Sequence, residues 1–188
     1  AKAMVDGVKV LPAELADPEP LGGDGDANQE DGPSTVQPEP EAELDELDSL
    51  VDELTETSVA SSSPDRFEVA VAKAFAFLGF RAEKLGGSGK TDVVADADLG
   101  SQDSYRIIID GKTTGRGAVG DHQIDWDTID EHRALHQADY VAIAGPTFGG
   151  SRLIQRAKDH GVILLTADDL SELVRQHAAM PLNLDEYR

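Results

Sequence analysis

Tyr105-Arg106-Ile107-Ile108-Ile109-Asp110-Gly111-Lys112 is an apolar, β-branched run that ends in an acid, a glycine and a lysine. Such residues favour strands, so the run predicts a strand with a charged end. A second strand-like run, Asp92-Val93-Val94-Ala95, begins with an acid. A hairpin between the two strands would bring Asp92 and Asp110 together, with Lys112 on the same side as Asp110. Two carboxylates and an ammonium can hold a divalent cation and an attacking water, as metal-assisted phosphodiester hydrolysis requires.

The alternative interpretation of these three residues is purely structural. Asp92 would then be a turn residue, Asp110 a strand-end cap and Lys112 a solvated charge. We favour the functional interpretation because a carboxylate at the end of a central apolar strand is unfavourable unless it has a role there. All three residues are also expected at one end of the sheet.

The periodicity of apolar residues places the remaining elements around these strands. A helix begins at Ser63-Pro64-Asp65 and stops at Gly79. Five strands are predicted in all, at 80–85, 91–97, 105–110, 140–144 and 162–165, with helices at 121–136, 148–160 and 167–177. This order predicts an α/β fold with a mixed central sheet flanked by helices, because turns link the early strands and helices link the later ones.

A rival motif lies between the first two strands. Gly86-Gly87-Ser88-Gly89-Lys90-Thr91 is similar to the end of a phosphate-binding P-loop. That motif needs a glycine at the position of Lys84 and a helix directly after Lys-Thr. A strand-like run follows instead, so we interpret the glycines as a tight turn that leaves room for a phosphodiester backbone beside Asp92.

Charge divides the chain of 188 residues, whose net charge is −21. Residues 1–63 contain 2 Lys/Arg against 17 Asp/Glu, whereas residues 64–188 contain 14 against 20. Residues 13–43 are rich in Pro, Glu, Asp and Gly, a composition typical of a disordered linker. We therefore expect an acidic, mostly disordered segment over 1–63, a folded domain over 64–178, and a C-terminal tail over 179–188.

Asp92 and Asp110-Gly111-Lys112, within the order αβββαβ, resemble the PD-(D/E)xK nuclease superfamily. The resemblance covers about residues 65–177 and implies a restriction-endonuclease-like core. It departs from the literal motif at Thr91, where the motif has Pro.

Two further stretches resemble particular branches of that superfamily. The first helix with Phe67-Glu68, together with Leu78-Gly79-Phe80, is similar to the Mrr-like restriction endonucleases. The stretch from Thr91 to Gln123 is similar to the FokI-type cleavage domains.

The resemblance implies a metal site. Asp92 and Asp110 would bind Mg²⁺ or Mn²⁺ as hard oxygen ligands, and the Gly111 carbonyl would add a backbone oxygen. Glu68 matches an acid on the first helix of Mrr-like nucleases that completes the metal shell; the alternative is a solvated helix acid.

The resemblance also implies two other active-site roles. Lys112 would position or deprotonate the attacking water and offset charge in the transition state. Gln123 matches a Gln on the helix after the motif, where it would hydrogen-bond near the active site or the phosphate backbone.

A short acidic helix is predicted over residues 42–56, where Leu44, Leu47, Val51 and Leu54 recur at three- and four-residue spacing. This helix either forms transiently or packs on the domain surface. Alternatively, it docks to a partner or acts as an acidic mimic that covers the DNA-binding face.

The resulting functional hypothesis is a Mg²⁺-dependent endodeoxyribonuclease domain of the restriction or phage-defence type that acts on double-stranded DNA. Residues 64–188 carry a net charge of −6 and would bind DNA weakly alone. We therefore expect a tethered recognition or motor module, and a homodimer for double-strand breaks. The alternatives are a catalytically silent nuclease-like module that binds DNA or protein, and a junction resolvase, which shares the same core.

Composition excludes several other classes of protein. The absence of cysteine excludes disulfides and thiolate chemistry. No apolar run approaches the 18 residues of a membrane span, and no secretory signal is evident, so we expect a cytoplasmic protein. His132 and His136 have a helical spacing that can bind metal, but without a third ligand a surface or interface pair is favoured. Trp126 is interpreted as a packing anchor or a dimer contact.

Overall fold

A computed structural model describes residues 40–87, 91–100 and 103–188. The predicted disorder of the acidic linker therefore lies, up to residue 39, outside the described residues. The same holds for Ser88, Gly89 and Lys90 of the glycine-rich loop.

Five strands form one mixed sheet in the order β1-β2-β3-β4-β5. The strands are β1 (Arg81–Lys84), β2 (Val93–Asp98), β3 (Ser104–Gly111), β4 (Tyr140–Gly145) and β5 (Val162–Thr166). The first three are antiparallel, and β3, β4 and β5 are parallel. Parallel neighbours need a crossover connection, which here contains a helix in each case. The mixed sheet with its flanking helices confirms the predicted fold class.

Helices cover both faces of the sheet. They are α1 (Pro40–Ser58), α2 (Pro64–Phe77), α3 (Trp126–His136), α4 (Ser151–Asp159) and α5 (Ala167–Ala179). Apolar residues of α1, α2 and α5 share one core with Ile107 and Ile109, whereas those of α3 and α4 share the other with Ile108. Successive strand residues point to opposite faces, so the isoleucine run of β3 is buried on both sides, as a central strand requires. Among the described helices, none is long and apolar enough to cross a membrane.

The helix predicted over residues 121–136 is interrupted. Asp121–Gln123 form a 3₁₀ turn, and α3 begins only at Trp126. The break has a local cause, because the Asp125 side chain caps the new helix by accepting a hydrogen bond from Thr128 N at 3.2 Å. Gln123 therefore lies in the turn before the helix rather than on it.

Helix α1 packs into the domain. Leu50, Val51 and Leu54 are buried, and the first and last of them belong to the core formed with α2 and α5. The apolar face of α1 is thus occupied within the domain and is not available to cover a DNA-binding face. Because α1 contributes to the core, the folded unit starts before residue 64. The amphipathic pattern predicted the helix but could not predict its packing partner.

The C-terminal segment is also tied to the domain. The Tyr105 hydroxyl donates to the Leu184 carbonyl, and Arg188 pairs with Asp103 at 2.7 Å. Leu184 and Tyr187, in a 3₁₀ turn over Leu184–Tyr187, pack against the core. The folded unit therefore continues past residue 178.

We expect Leu54→Ala to lower the free energy of unfolding by about 2–5 kcal/mol, because Leu54 is fully buried and its truncation leaves a cavity. Urea denaturation measures the change. Leu44→Ala is the matched control on the same helix: Leu44 is 60% exposed, and its loss should cost less than about 0.5 kcal/mol. Equal stability of the two variants would show that α1 is not part of the cooperative unit.

Candidate active site

The acidic end of β3 lies beside the start of β2. Val93 pairs with Ile109 in the antiparallel ladder, so Asp92, one residue before β2, stands next to the end of β3. The Gly111 N–H donates to Asp92 Oδ2 at 2.8 Å. The hairpin geometry thus joins two residues that are 19 positions apart in the sequence.

Lys112 lies against Asp110. Its Nζ is 2.6 Å from Asp110 Oδ2, and both side chains are about three-quarters buried. The Lys112 N–H donates to the Ala144 carbonyl at 2.8 Å, so β4 holds the backbone as it leaves β3. Asp110 Oδ2 is buried, and the Lys112 ammonium 2.6 Å away balances its charge. Carboxylate oxygens such as those of Asp110 and Asp92 are the hard ligands that Mg²⁺ prefers.

Glu68 reaches the same place from helix α2. Its side chain is buried against Gly111: a Cβ at position 111 would lie 3.3 Å from Glu68 Cγ, 3.6 Å from Phe67 Cδ1 and 3.8 Å from Asp92 Oδ2. The missing side chain of Gly111 therefore allows α2 to approach the end of β3. Of the predicted site residues, Asp92, Asp110, Gly111, Lys112 and Glu68 come together here.

Gln123 is placed differently. Its Oε1 accepts the Gly120 N–H at 2.9 Å, so the side chain closes the 3₁₀ turn of its own loop. Among the described contacts, the Gln123 side chain therefore serves its own loop, with its amide oxygen already engaged.

Lys84 is a neighbour of this site that the sequence reasoning did not select. It ends β1, and its Nζ lies 3.2 Å from Glu68 Oε2 and 2.5 Å from Asp65 Oδ1. One signal was available in the sequence, since Lys84 ends the strand that leads into the glycine-rich loop before Asp92.

The pKa of Asp92 lies well above the usual range of an aspartate. Burial raises the pKa of Asp92 to about 7, with further contributions from the negative charges of Asp110 and Glu68. The Gly111 N–H and the Lys112 charge oppose this shift. A divalent cation would relieve this repulsion, so the residues fit a metal.

The donor set also suits one kind of metal. In the described part of the chain, no three His, Asp or Glu side chains form a ready-made metal cage. Mg²⁺ is commonly held by one or two carboxylates, with water and substrate phosphate filling the other positions. The carboxylates of Asp92 and Asp110 match this mode of binding.

The other residues singled out by sequence serve packing. Trp126 is buried, stacks on His160 with ring centroids 4.9 Å apart, and donates from Nε1 to Asp121 Oδ1 at 3.1 Å. It therefore anchors α3 within the domain. The His132 and His136 rings meet edge to face on α3, with centroids 6.5 Å apart.

We expect the metal-free protein to lose stability as the pH rises from about 4 to about 7. The pKa of Asp92 is about 7 in the folded state and about 3.9 in an unfolded chain. The folded state binds the Asp92 proton more tightly than the unfolded chain does, so protonation of Asp92 stabilises the fold. This stabilisation is fully present below pH ~4 and disappears as the pH passes through 7. It amounts to at most about 4 kcal/mol, an upper bound because the carboxyl is partly exposed.

Asp92→Asn tests this expectation by urea denaturation in EDTA between pH 4 and 8. The amide still accepts the Gly111 N–H but cannot ionise, so this variant should exceed the wild type in stability at pH 8. Asp127→Asn, at an exposed acid of α3, is the control and should follow the wild-type pH profile. Parallel pH profiles for Asp92→Asn and the wild type would contradict the expectation.

Comparison with known proteins identifies the family of this chain. The profile of the family described as "FokI, cleavage domain" matches residues 31–125, half of the chain. A search of curated proteins found no match.

Solved structures of FokI share the fold. The restriction endonuclease FokI aligns with a TM-score of 0.59 and 21% identity, over 73% of this chain and 29% of that one. FokI bound to DNA aligns with a TM-score of 0.58 and 21% identity, over 81% and 32%. The DNA modification-dependent restriction endonuclease AspBHI aligns with a TM-score of 0.49 and 17% identity, over 83% and 43%. The chain thus spans about a third of the length of the FokI chains that it matches.

Proposed function

This chain belongs to the family of the FokI cleavage domain, and from that premise we propose that it is a metal-dependent DNA endonuclease domain that hydrolyses phosphodiester bonds in double-stranded DNA. One observation carries the proposal. Two carboxylates, Asp92 and Asp110, and the ammonium of Lys112 converge at the end of the central strand.

Asp92 and Asp110 would hold Mg²⁺ or Mn²⁺, with the Gly111 carbonyl and Glu68 as further oxygen ligands. The cation, when bound, supplies a Lewis acid for the phosphoryl oxygen and lowers the pKa of a water. The Gly111 N–H fixes the Asp92 carboxylate from the opposite strand, so one ligand is oriented before the metal arrives.

Lys112 would act on the reacting atoms. Its ammonium, three-quarters buried beside Asp110, donates hydrogen bonds to the attacking water or to a phosphoryl oxygen. A fixed positive charge in a partly dry cleft stabilises the negative charge that develops in the transition state. Gln123, whose Oε1 is engaged by Gly120, keeps its Nε2 group as a donor for the phosphate backbone.

We further propose that recognition of DNA resides in a separate module. A catalytic region with an acidic balance gains little from counterion release, so it needs recruitment to DNA. The residues before α1 would serve as an acidic tether to a recognition or motor module, as in restriction or phage-defence systems. One site cuts one strand, so a double-strand break needs two copies, most simply a homodimer.

The test is cleavage of supercoiled plasmid in Mg²⁺ or Mn²⁺, with and without EDTA. The domain is tested free and fused to a DNA-binding module of known specificity, because tethering raises the local concentration. We expect slow nicking by the free domain, faster cutting near the bound site by the fusion, and no product in EDTA. A folded fusion that occupies its site without cutting would identify a silent module. Cleavage confined to four-way junctions would identify a resolvase.

A further inference from the structure

The candidate site continues beyond the predicted residues to a second lysine, Lys84, on the far side of the carboxylates. Lys112 touches Asp110, Asp110 and Glu68 both act on Asp92, and the far side of Glu68 touches Lys84. The three carboxylates thus stand between two lysines, one from the end of β3 and one from the end of β1.

Contacts with β2, Gly86 and α2 hold the Lys84 side chain beside the candidate site. Lys84 pairs with Val93, so it lies beside the start of β2 and hence beside Asp92. Its Nζ folds back over the next turn, where a Cβ at Gly86 would lie only 3.3 Å away. Gly86 has a φ of +58°, and its missing side chain leaves room for the ammonium. Only 24% of the Lys84 side chain is exposed.

Glu68 needs a restraint of this kind. It is buried close to Asp92, whose charge repels it, and a glutamate side chain has three rotatable bonds with which to turn away. The Lys84 ammonium, 3.2 Å from Glu68 Oε2, attracts the carboxylate, and the 2.5 Å contact with Asp65 Oδ1 holds the ammonium from α2.

We propose that Lys84 is a positioning residue that holds the Glu68 carboxylate beside Asp92 and Gly111. The proposal rests on the proposed function in one respect, namely that Glu68 takes part in metal-dependent cleavage. Lys84 itself touches neither substrate nor metal and acts through Glu68.

A second ion pair on α2 provides the matched control. Lys73 Nζ lies 2.7 Å from Glu53 Oε2, but the Lys73 side chain is 55% exposed and its partner belongs to α1. Lys73→Met therefore removes a comparable contact from the same helix without altering the charges around Glu68.

The first experiment measures the orientation of Glu68 in the metal-free protein by NMR. Three-bond couplings of selectively labelled Glu68 should report one χ1/χ2 rotamer in the wild type, in Lys84→Arg and in Lys73→Met. Lys84→Met should give averaged couplings, at an unchanged far-UV spectrum. A single wild-type rotamer in folded Lys84→Met would overturn the proposal, whether or not the domain cleaves DNA.

The second experiment measures single-turnover cleavage at saturating Mg²⁺. Lys84→Met should slow cleavage about tenfold, with Lys84→Arg and Lys73→Met near the wild-type rate. In a Glu68→Gln background, Lys84→Met should cause no further loss, because a residue that acts only through Glu68 has nothing left to position. An equal loss in both backgrounds would overturn the proposal. Absence of cleavage by the wild type would reject the proposed function and leave the NMR measurement to decide this one.

Discussion

Asp110→Ala should reduce the single-turnover rate of DNA cleavage in Mg²⁺ by at least about a thousandfold. Removal of one group that stabilises transition-state charge typically slows an enzyme by up to about this factor. Asp110 is the penultimate residue of the central strand, and its largely buried carboxylate lies beside that of Asp92, so the most direct role for this pair of acids is to bind a cation. The measurement is cleavage of a labelled duplex by the fused domain at saturating Mg²⁺. Glu172→Ala, at an exposed acid on α5, is the control and should keep the wild-type rate.

The fold should survive this substitution. Asp110 adds negative charge beside Asp92, so its removal relieves repulsion in the metal-free protein. We therefore expect an equal or higher melting temperature for Asp110→Ala in EDTA at pH 8. A folded Asp110→Ala variant that cleaves DNA at the wild-type rate would eliminate this site.

Lys112→Ala should lower the cleavage rate by about a hundredfold to a thousandfold while Mg²⁺ affinity is kept. The ammonium lies 2.6 Å from Asp110 and carries the same sign of charge as the metal, so its loss removes no metal ligand. Its hydrogen bonds would be stronger in the transition state than in the ground state, and such interactions determine turnover. Single-turnover rates and titration calorimetry with Mg²⁺ separate the two effects.

Lys158→Ala removes an exposed cation on α4 and is the control for the change in net charge. It should alter neither the rate at saturating DNA nor the affinity for Mg²⁺. The opposite pattern in Lys112→Ala, with affinity lost and the rate preserved, would assign Lys112 to the metal site instead.

Local patterns in the sequence were enough to predict the fold class. The isoleucine run of β3 requires burial on both faces, and only a sheet with helices on each side provides it. Short loops between the early strands and helical connections between the later ones then imply a mixed sheet. The proximity of Asp92 and Asp110 followed from the same reasoning, because an antiparallel hairpin pairs the end of one strand with the start of the other.

Contacts between distant segments could not be predicted in this way. The leucines of α1 had the helical period, but whether that face meets solvent, a partner or α2 depends on a surface that forms only when the sheet and α5 are in place. The packing of Leu184 and Tyr187 against the core likewise depends on a surface that other segments form. The break before α3 depends on a local competition, in which the Asp125 side chain caps the helix and thereby ends the preceding turn.

By itself, then, the sequence determined the order of elements, the central strand and the pairing of its terminal acid with Asp92, because strand and helix periods are local properties of the chain. Only the tertiary structure decided that α1 belongs to the core, and that Glu68 meets Lys84 on one side and Gly111 on the other. Those contacts join a helix to two strands that are not neighbours in the sheet. Their distances depend on how α2 packs across the sheet, and no periodicity within a single segment encodes that packing.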